Sequence, residues 1–425
     1  MLEKITDFLD QKLSTPMARL AEQRHLRAIR DGIVATLPLI IVGSFFLIVA
    51  FPPLPESWGI TVFLKEHATT ILLPYRMSMY IMTLYAVFGI GTSLAKSYDL
   101  DGLSGGILAE LAFLLTNIPQ ATDDFGLVIP MANLGAGGMF VGIIVSIFAV
   151  EVYRLCDKSG FKIHMPEQVP ESVARSFEAL TPTALVLIII GTITYFVGFD
   201  WYGFIGMLIT PLIQASDTLP SVLLIVFLIT FFWAFGIHGV SIVGSIVRPL
   251  WLVLLDQNAA AAAAGQPLPA IAAEPFYQWF IWIGGSGCTI GLAILMMMRA
   301  RSAYLKSLGR TTILPSIFNI NEPIIFGAPI VLNPILIIPF VITPLLCATI
   351  AWFATQLHLV NAVIVTAPWT LPGPIGAYLA TGGDWRASVL NILLICVSVV
   401  VYYPFFKLYD KKQLEEEQAD EAAAA

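Results

Sequence analysis

Long apolar runs joined by short polar connections constrain this chain more than any motif in it. The first run, Ile33 to Phe51, is close to the roughly 20 residues that a spanning helix needs, and several comparable runs follow. Only 12% of the residues are charged and 57% are hydrophobic, against about 25% charge in soluble domains, so one aqueous core cannot hold this much apolar surface. The fold class that follows is an all-α polytopic membrane protein. The first run is not a signal peptide, because a long polar stretch precedes it and no small-residue cleavage site follows.

Lys and Arg predict the topology. Of the 22 basic residues, 18 fall in five patches: 1–32, Lys96, 154–175, 299–310 and 407–412. The positive-inside rule makes these patches cytoplasmic, and the poorly charged connections at 52–70, 117–130, 200–220, 256–275 and around Gln356 extracytoplasmic. Alternation between the two sets predicts spans near 33–51, 72–94, 103–117, 131–153, 183–199, 221–237, 239–255, 277–298, 334–355 and 387–406. That is about ten transmembrane helices with both ends in the cytoplasm. The parity then requires the proline-broken pieces 313–333 and 363–385 to enter and leave on one side, as re-entrant hairpins. Met1 to Arg30 reads as an amphipathic interfacial helix, with Leu13, Met17 and Leu20 opposed by Arg19, Arg24, Arg27 and Arg30.

The two halves differ in character. Up to about residue 200 the spans are ordinary, with small residues such as Gly137 and Gly138 that allow close helix approach, so 1–200 reads as a scaffold or dimerisation half. Residues 201–425 hold the Gly, Pro, Trp and Asn positions inside apolar segments and read as the working half. The four cysteines, Cys156, Cys288, Cys347 and Cys396, lie singly among apolar neighbours and read as packing residues. No phosphate-binding loop, HExxH or GxSxG sequence is present, which leaves a membrane ATPase, a zinc protease or a serine hydrolase without support.

Glu322 stands in Phe318-Asn319-Ile320-Asn321-Glu322-Pro323-Ile324-Ile325-Phe326-Gly327. An ionisable group at membrane depth costs about 2.5 to 3.5 kcal/mol even on lenient insertion scales, so it marks a substrate or ion site. Pro323 biases Glu322 away from helix, and broken backbone in a membrane is tolerated where it lines a cavity. His238, between glycines in Gly236-Ile237-His238-Gly239, is a core imidazole or, taken with Glu322, one of two buried partners. Ser286 lies in Gly284-Gly285-Ser286-Gly287, which reads equally as small-residue packing or as a helix break offering backbone groups to a ligand. Trp369, in Pro368-Trp369-Thr370-Leu371-Pro372-Gly373-Pro374, is an interfacial anchor or a platform for a sugar ring. Asn133, taken alone, reads as a helix cap before Gly135. Arg248 and Glu110 read as structural ion-pair partners. Acid, imidazole, amides and tryptophans in broken membrane backbone suit a sugar, and ion-coupled transport with Glu322 and His238 as proton carriers is the alternative.

Three stretches carry a resemblance: Gln23-Arg24-His25-Leu26-Arg27-Ala28-Ile29-Arg30-Asp31-Gly32, Gly236 to Gly239, and above all Asn321 to Gly327. Over nearly its whole length the chain resembles the membrane subunit (EIIC) of bacterial phosphoenolpyruvate-dependent sugar phosphotransferase systems, in the lactose, cellobiose and diacetylchitobiose branch. The resemblance implies a glucose-superfamily EIIC fold with two re-entrant hairpins, a homodimer in a bacterial cell membrane, and movement of the transport half against the other. It implies binding of a β-linked, cellobiose-like disaccharide from outside and its presentation to EIIB, which carries a phosphocysteine, with EIIA and the phosphocarrier protein upstream. These partners are expected as separate polypeptides, and no stand-alone catalysis, cofactor, metal or nucleic-acid partner is expected. By the same resemblance Glu322 and His238 lie near the hydroxyl to be phosphorylated. Asn321, Trp233 and Trp369 are sugar contacts, joined less securely by Asn133, Gly135 and Ser286.

Overall fold

The computed structural model describes residues 23–424 except 53, 55, 56, 167 and 332. Most of the expected amphipathic N-terminal helix therefore lies outside the described residues, although Arg24–Ala35 is helical and is capped by Gln23, whose Oε1 accepts the Leu26 N–H at 2.8 Å. Two compact units form. One contains Thr69–Ile213 with the segment ending at Phe46, and the other contains Leu47–Ala68 with everything from Gln214 onward.

The first unit packs the helices Met82–Lys96, Gly102–Leu115, Met139–Ser159 and Leu180–Gly191 around Val87, Leu108, Phe113, Val141, Val145, Val186 and Ile190. Close approach rests on small residues: a methyl group added to Gly91 would sit 2.5 Å from the Gly105 carbonyl oxygen, so these two helices cross almost backbone to backbone. Asp101 caps Gly102–Leu115 by accepting the Ser104 N–H at 2.7 Å. The expected all-helical reading needs one addition here. Gln120–Thr122 and Gly126–Val128 pair as a short antiparallel hairpin with Ala121 opposite Leu127.

In the second unit, Trp251, Phe276, Tyr277, Trp279, Phe280, Phe340 and Tyr402 are each less than 2% exposed. Trp251 and Tyr277 have ring centroids 4.6 Å apart, and Gly376 leaves the room that the Trp279 ring occupies. The 40-residue helix Trp385–Ala424 runs beside Ile290–Arg299, Ile337–Gln356 and Gly373–Ala380.

Among the described residues, six helices are long and apolar enough to cross a membrane, and the pair Leu180–Phe196 and Trp201–Ser216, bent by 88°, would make a seventh. The count of ten is not reached by length and composition, because Gly102–Leu115, Leu219–Ala234 and Ile290–Arg299 have 14, 16 and 10 residues. At 1.5 Å per residue they fall short of a hydrocarbon layer about 30 Å thick. Residues 200–220, expected as an external connection, are mostly the helix Trp201–Ser216, reached through a π-helical turn at Thr192–Phe196 and Gly198 at φ 72°. Residues 277–298, expected as one span, are broken: Glu274–Phe280 ends, an irregular stretch follows, and Ile290–Arg299 resumes the helix.

Candidate functional site

Three irregular segments of the second unit are tied together: 281–289, which is buried, and the partly exposed 318–321 and 368–372. The first is a sequence of turns in which Gly284, Gly285 and Gly287 have φ of 77°, 94° and 84°, a region open to glycine and closed to most other residues. Space enforces the same choice, since a methyl group on Gly285 would lie 2.3 Å from Cγ of Asn321. Residues 281–289 are all buried, so each backbone polar group needs a partner inside the protein. Side chains supply several. Thr289 Oγ1 donates to the Gly284 carbonyl at 2.6 Å, Tyr402 OH to the Gly287 carbonyl at 2.9 Å, and Ser398 Oγ to the Cys288 carbonyl at 2.6 Å.

Two amides join the segments. Asn321, 4% exposed, donates from Nδ2 to the Ser286 carbonyl at 2.6 Å. Asn319 accepts the Gly284 N–H at 3.0 Å and donates to the carbonyls of Trp369 and Leu371 at 2.8 and 3.0 Å. Asn319 sits at φ 62°, a conformation that asparagine tolerates better than most residues. Sequence reasoning passed over it in favour of its neighbour Asn321. The available signal was an amide placed just after a proline-containing helix, Ala303–Ile317, where it can brace a turn.

Asn321 ends this brace and precedes the helix Glu322–Gly327, with Pro323 in the first turn, where its missing N–H is harmless. Glu322 is exposed and makes no hydrogen bond or ion pair among the described residues, which corrects the expectation that it is buried against a partner. His238 is the N-cap of Gly239–Ala263: Nδ1 accepts the Ser241 N–H at 3.2 Å and lies 2.9 Å from Ser241 Oγ. Trp233, 3% exposed, packs its ring on the imidazole with centroids 4.6 Å apart, and its buried Nε1 has no partner among the described residues. The Gly236 turn lies against Val331, four residues past the Glu322 helix.

The remaining positions divide. Ser286 contributes its carbonyl to Asn321, and Trp369 contributes its carbonyl to Asn319 while its side chain stays exposed at 48%. Asn133 and Gly135 belong to the other compact unit. Asn133 closes a 3-10 turn, Met131–Asn133, and caps no helix; the N-cap of Met139–Ser159 is Gly138. Gly135 is buried and its carbonyl accepts from Thr83 Oγ1 at 2.7 Å. Arg248 is the ion-pair partner of Glu274, bidentate at 2.7 to 3.2 Å, whereas Glu110 forms no ion pair among the described residues. The cysteines are not all solitary, since Cys288 and Cys347 place their sulfurs 3.9 Å apart in the core.

Asp384 fixes the connection after Ile337–Gln356. Its carboxylate accepts the Asn361 N–H at 2.8 Å and the Arg386 guanidinium at 2.8 and 3.0 Å. Burial works to raise its pKa, but the Arg386 and backbone N–H donors outweigh it and hold the carboxyl below the usual aspartate value.

A family model described as "Phosphotransferase system, EIIC" matches residues 30–344. The chain is 39% identical to the lichenan permease IIC component of Bacillus subtilis, covering 98% of this chain and 96% of that protein. It is also 39% identical to the cellobiose-specific EIIC component of Geobacillus stearothermophilus, at 99% and 97% coverage. Among solved structures it superposes on the transporter ChbC, the IIC component of an N,N'-diacetylchitobiose-specific phosphotransferase system, with a TM-score of 0.91 and 37% identity over 97% of this chain and 99% of that one.

Proposed function

The chain belongs to the EIIC family of the phosphotransferase system, in the branch that includes cellobiose and diacetylchitobiose proteins, and from that membership we propose that it is the permease subunit for a cellobiose-type β-linked disaccharide. The observation that carries the site assignment is the exposed carboxylate of Glu322 at the start of a short helix, directly after the buried amide Asn321 that ties this helix to the glycine turns at 284–287. An acid without a partner among the described residues, beside a braced turn, suits a ligand hydroxyl.

In this reading the sugar enters from outside and rests against Glu322, Asn321, His238, Trp233 and the ring of Trp369, with Ser286 as a further contact, all of them in the unit that contains Gln214 onward. Residues 313–333 and 363–385 are the re-entrant hairpins. Once the site faces the cytoplasm, phospho-EIIB donates its phosphoryl group. A sugar hydroxyl oxygen forms the new bond to phosphorus, the bond from phosphorus to the EIIB cysteine sulfur breaks, the thiolate leaves, and the hydroxyl proton passes to Glu322. His238 takes the orienting role. Its Nδ1 accepts the Ser241 N–H, so in the neutral ring the proton is on Nε2, and that nitrogen donates rather than accepts. This supports Glu322 over His238 as the proton acceptor. Family membership does not favour the ion-coupled alternative.

The test is uptake into membrane vesicles. Accumulation of radiolabelled cellobiose is expected to require phosphoenolpyruvate and the soluble phosphocarriers and to yield the sugar phosphate. Uphill uptake of unmodified sugar driven by a proton or sodium gradient alone contradicts the proposal.

A further inference from the structure

A basic cleft of about 290 Å³ lies in the second unit, away from the residues assigned to the sugar. Four cationic side chains line it: Arg299 and Arg301 where one apolar helix ends, and Lys407 and Lys411 on Trp385–Ala424. Tyr403 and Phe406 provide an aromatic wall. Arg299, Arg301 and Lys407 form no ion pair among the described residues, and Lys411 reaches only Glu415, at 3.6 Å on an exposed surface.

The acid in the cleft is already engaged. Asp410 is buried and accepts the N–H groups of Arg301 at 3.0 and 3.1 Å and of Ser302 at 3.1 Å, while Glu417 accepts from Ser302 Oγ and the Ala303 and Tyr304 N–H groups. These carboxylates fix the turn that carries the two arginines. They leave the four cationic heads facing one carboxylate, an arrangement that attracts an anion.

The depth of the cleft indicates which anion. Ile290–Arg299 is apolar up to the arginine that ends it. Lys407 follows the apolar part of its helix, about 33 Å from Trp385 at 1.5 Å per residue, which matches a hydrocarbon layer about 30 Å thick. The cations therefore stand where an apolar span gives way to polar sequence, at the level of lipid headgroups, with exposed apolar side chains such as Val400 on the same helix. We propose that this cleft binds the phosphate of an anionic glycerophospholipid, with the acyl chains along the apolar part of Trp385–Ala424. Basic pockets at the end of membrane helices are a recurrent headgroup site.

The probe is phosphatidylglycerol in competition with phosphatidylcholine of the same chain length, added to the purified full chain in detergent and read by native mass spectrometry. The protein is expected to retain phosphatidylglycerol with at least about tenfold preference, and Arg301→Gln/Lys407→Gln to lose most of it, since each cation near an anionic surface contributes about 1 kcal/mol, roughly fivefold. Arg301→Lys/Lys407→Arg should keep the preference, and both variants should bind cellobiose normally, which separates lost lipid contacts from misfolding. Equal retention of the two lipids, or an unchanged preference in the glutamine variant, overturns the proposal. Displacement of the lipid by low millimolar inorganic phosphate or glycerol 3-phosphate assigns the cleft to a free phosphate instead. Loss of phosphorylation by phospho-EIIB with lipid retention intact assigns it to the partner protein.

Discussion

Asn319 shows what one amide does when it must serve three backbones. Its side chain satisfies a buried N–H at Gly284 and two carbonyls at Trp369 and Leu371. Asn319→Asp keeps the acceptor and the shape but removes both donors, leaving two carbonyls facing a carboxylate. A buried group left unsatisfied costs about 1 to 3 kcal/mol. Asn319→Asp is therefore expected to lower the melting temperature and to weaken cellobiose binding by at least about tenfold, measured on the same detergent preparation. An unchanged melting curve with unchanged affinity would show that the brace is dispensable. Glu322 makes the opposite prediction, because it is exposed and without a partner among the described residues, so Glu322→Gln should leave stability unaltered. Loss of one charge-assisted hydrogen bond weakens binding roughly ten- to a hundredfold, whereas loss of a general base slows chemistry by about 10² to 10⁴. Single-turnover phosphorylation from phospho-EIIB at saturating sugar should accordingly fall much further than affinity, and a normal rate would reduce Glu322 to a binding residue. The sequence singles out Glu322 because a carboxylate before proline among apolar residues is a conflict that local preference cannot resolve, but it pairs the side chain with a buried partner where the structure exposes it. Asn319 was not legible, since bracing between distant loops leaves no periodicity to read.

At the scale of elements, the turn sequence 281–289 replaces half a helix inside what the sequence presents as one span. Residues 277–298 carry no charge and are mostly apolar, and hydropathy alone does not distinguish a buried broken segment from a continuous one. The glycines carried the missing information, and in the sequence they read equally well as helix packing. Structure separates the two uses. Gly91 gives way to the backbone of a neighbouring helix, while Gly285 has φ 94° and faces Asn321. The same ambiguity hid Trp201–Ser216, whose low charge suits a loop or a helix set at 88° to its predecessor. Gly285→Ala is expected to break the Asn321 to Ser286 hydrogen bond and to abolish measurable cellobiose binding, because both the dihedral angle and the 2.3 Å approach forbid the methyl group. Gly137→Ala is the control: its added methyl would meet nothing closer than 3.4 Å, and binding should stay within about twofold. Equal affinities for the two variants would mean that residues 284–287 do not shape the site.

At the scale of the molecule, the two compact units invite different work. The buried glycine turns and the two amides that brace them lie in the unit that contains Gln214 onward, whereas the unit containing Thr69–Ile213 is built mainly of close-packed helices. A regular unit of that kind suits a fixed partner surface, and its helices carry apolar side chains that its own core does not cover: Leu103 is 62% and Ile107 55% exposed, one turn apart on Gly102–Leu115. Lipid is one cover for them and a second copy of the chain is another. The prediction is that a second copy of the chain covers this unit while the other unit moves. The experiment introduces single cysteines at Leu103, Ile107, Ile144 and Phe148, and at exposed positions within 277–385, after Cys396, the exposed native thiol, is replaced by serine. Cross-links between subunits are expected from the first set, with phosphoenolpyruvate-dependent uptake preserved after cross-linking, since a fixed interface does not move during transport. Cross-links confined to 277–385 would reverse the assignment. Cross-links in the first set that stop uptake would keep the interface but make it part of the moving machinery.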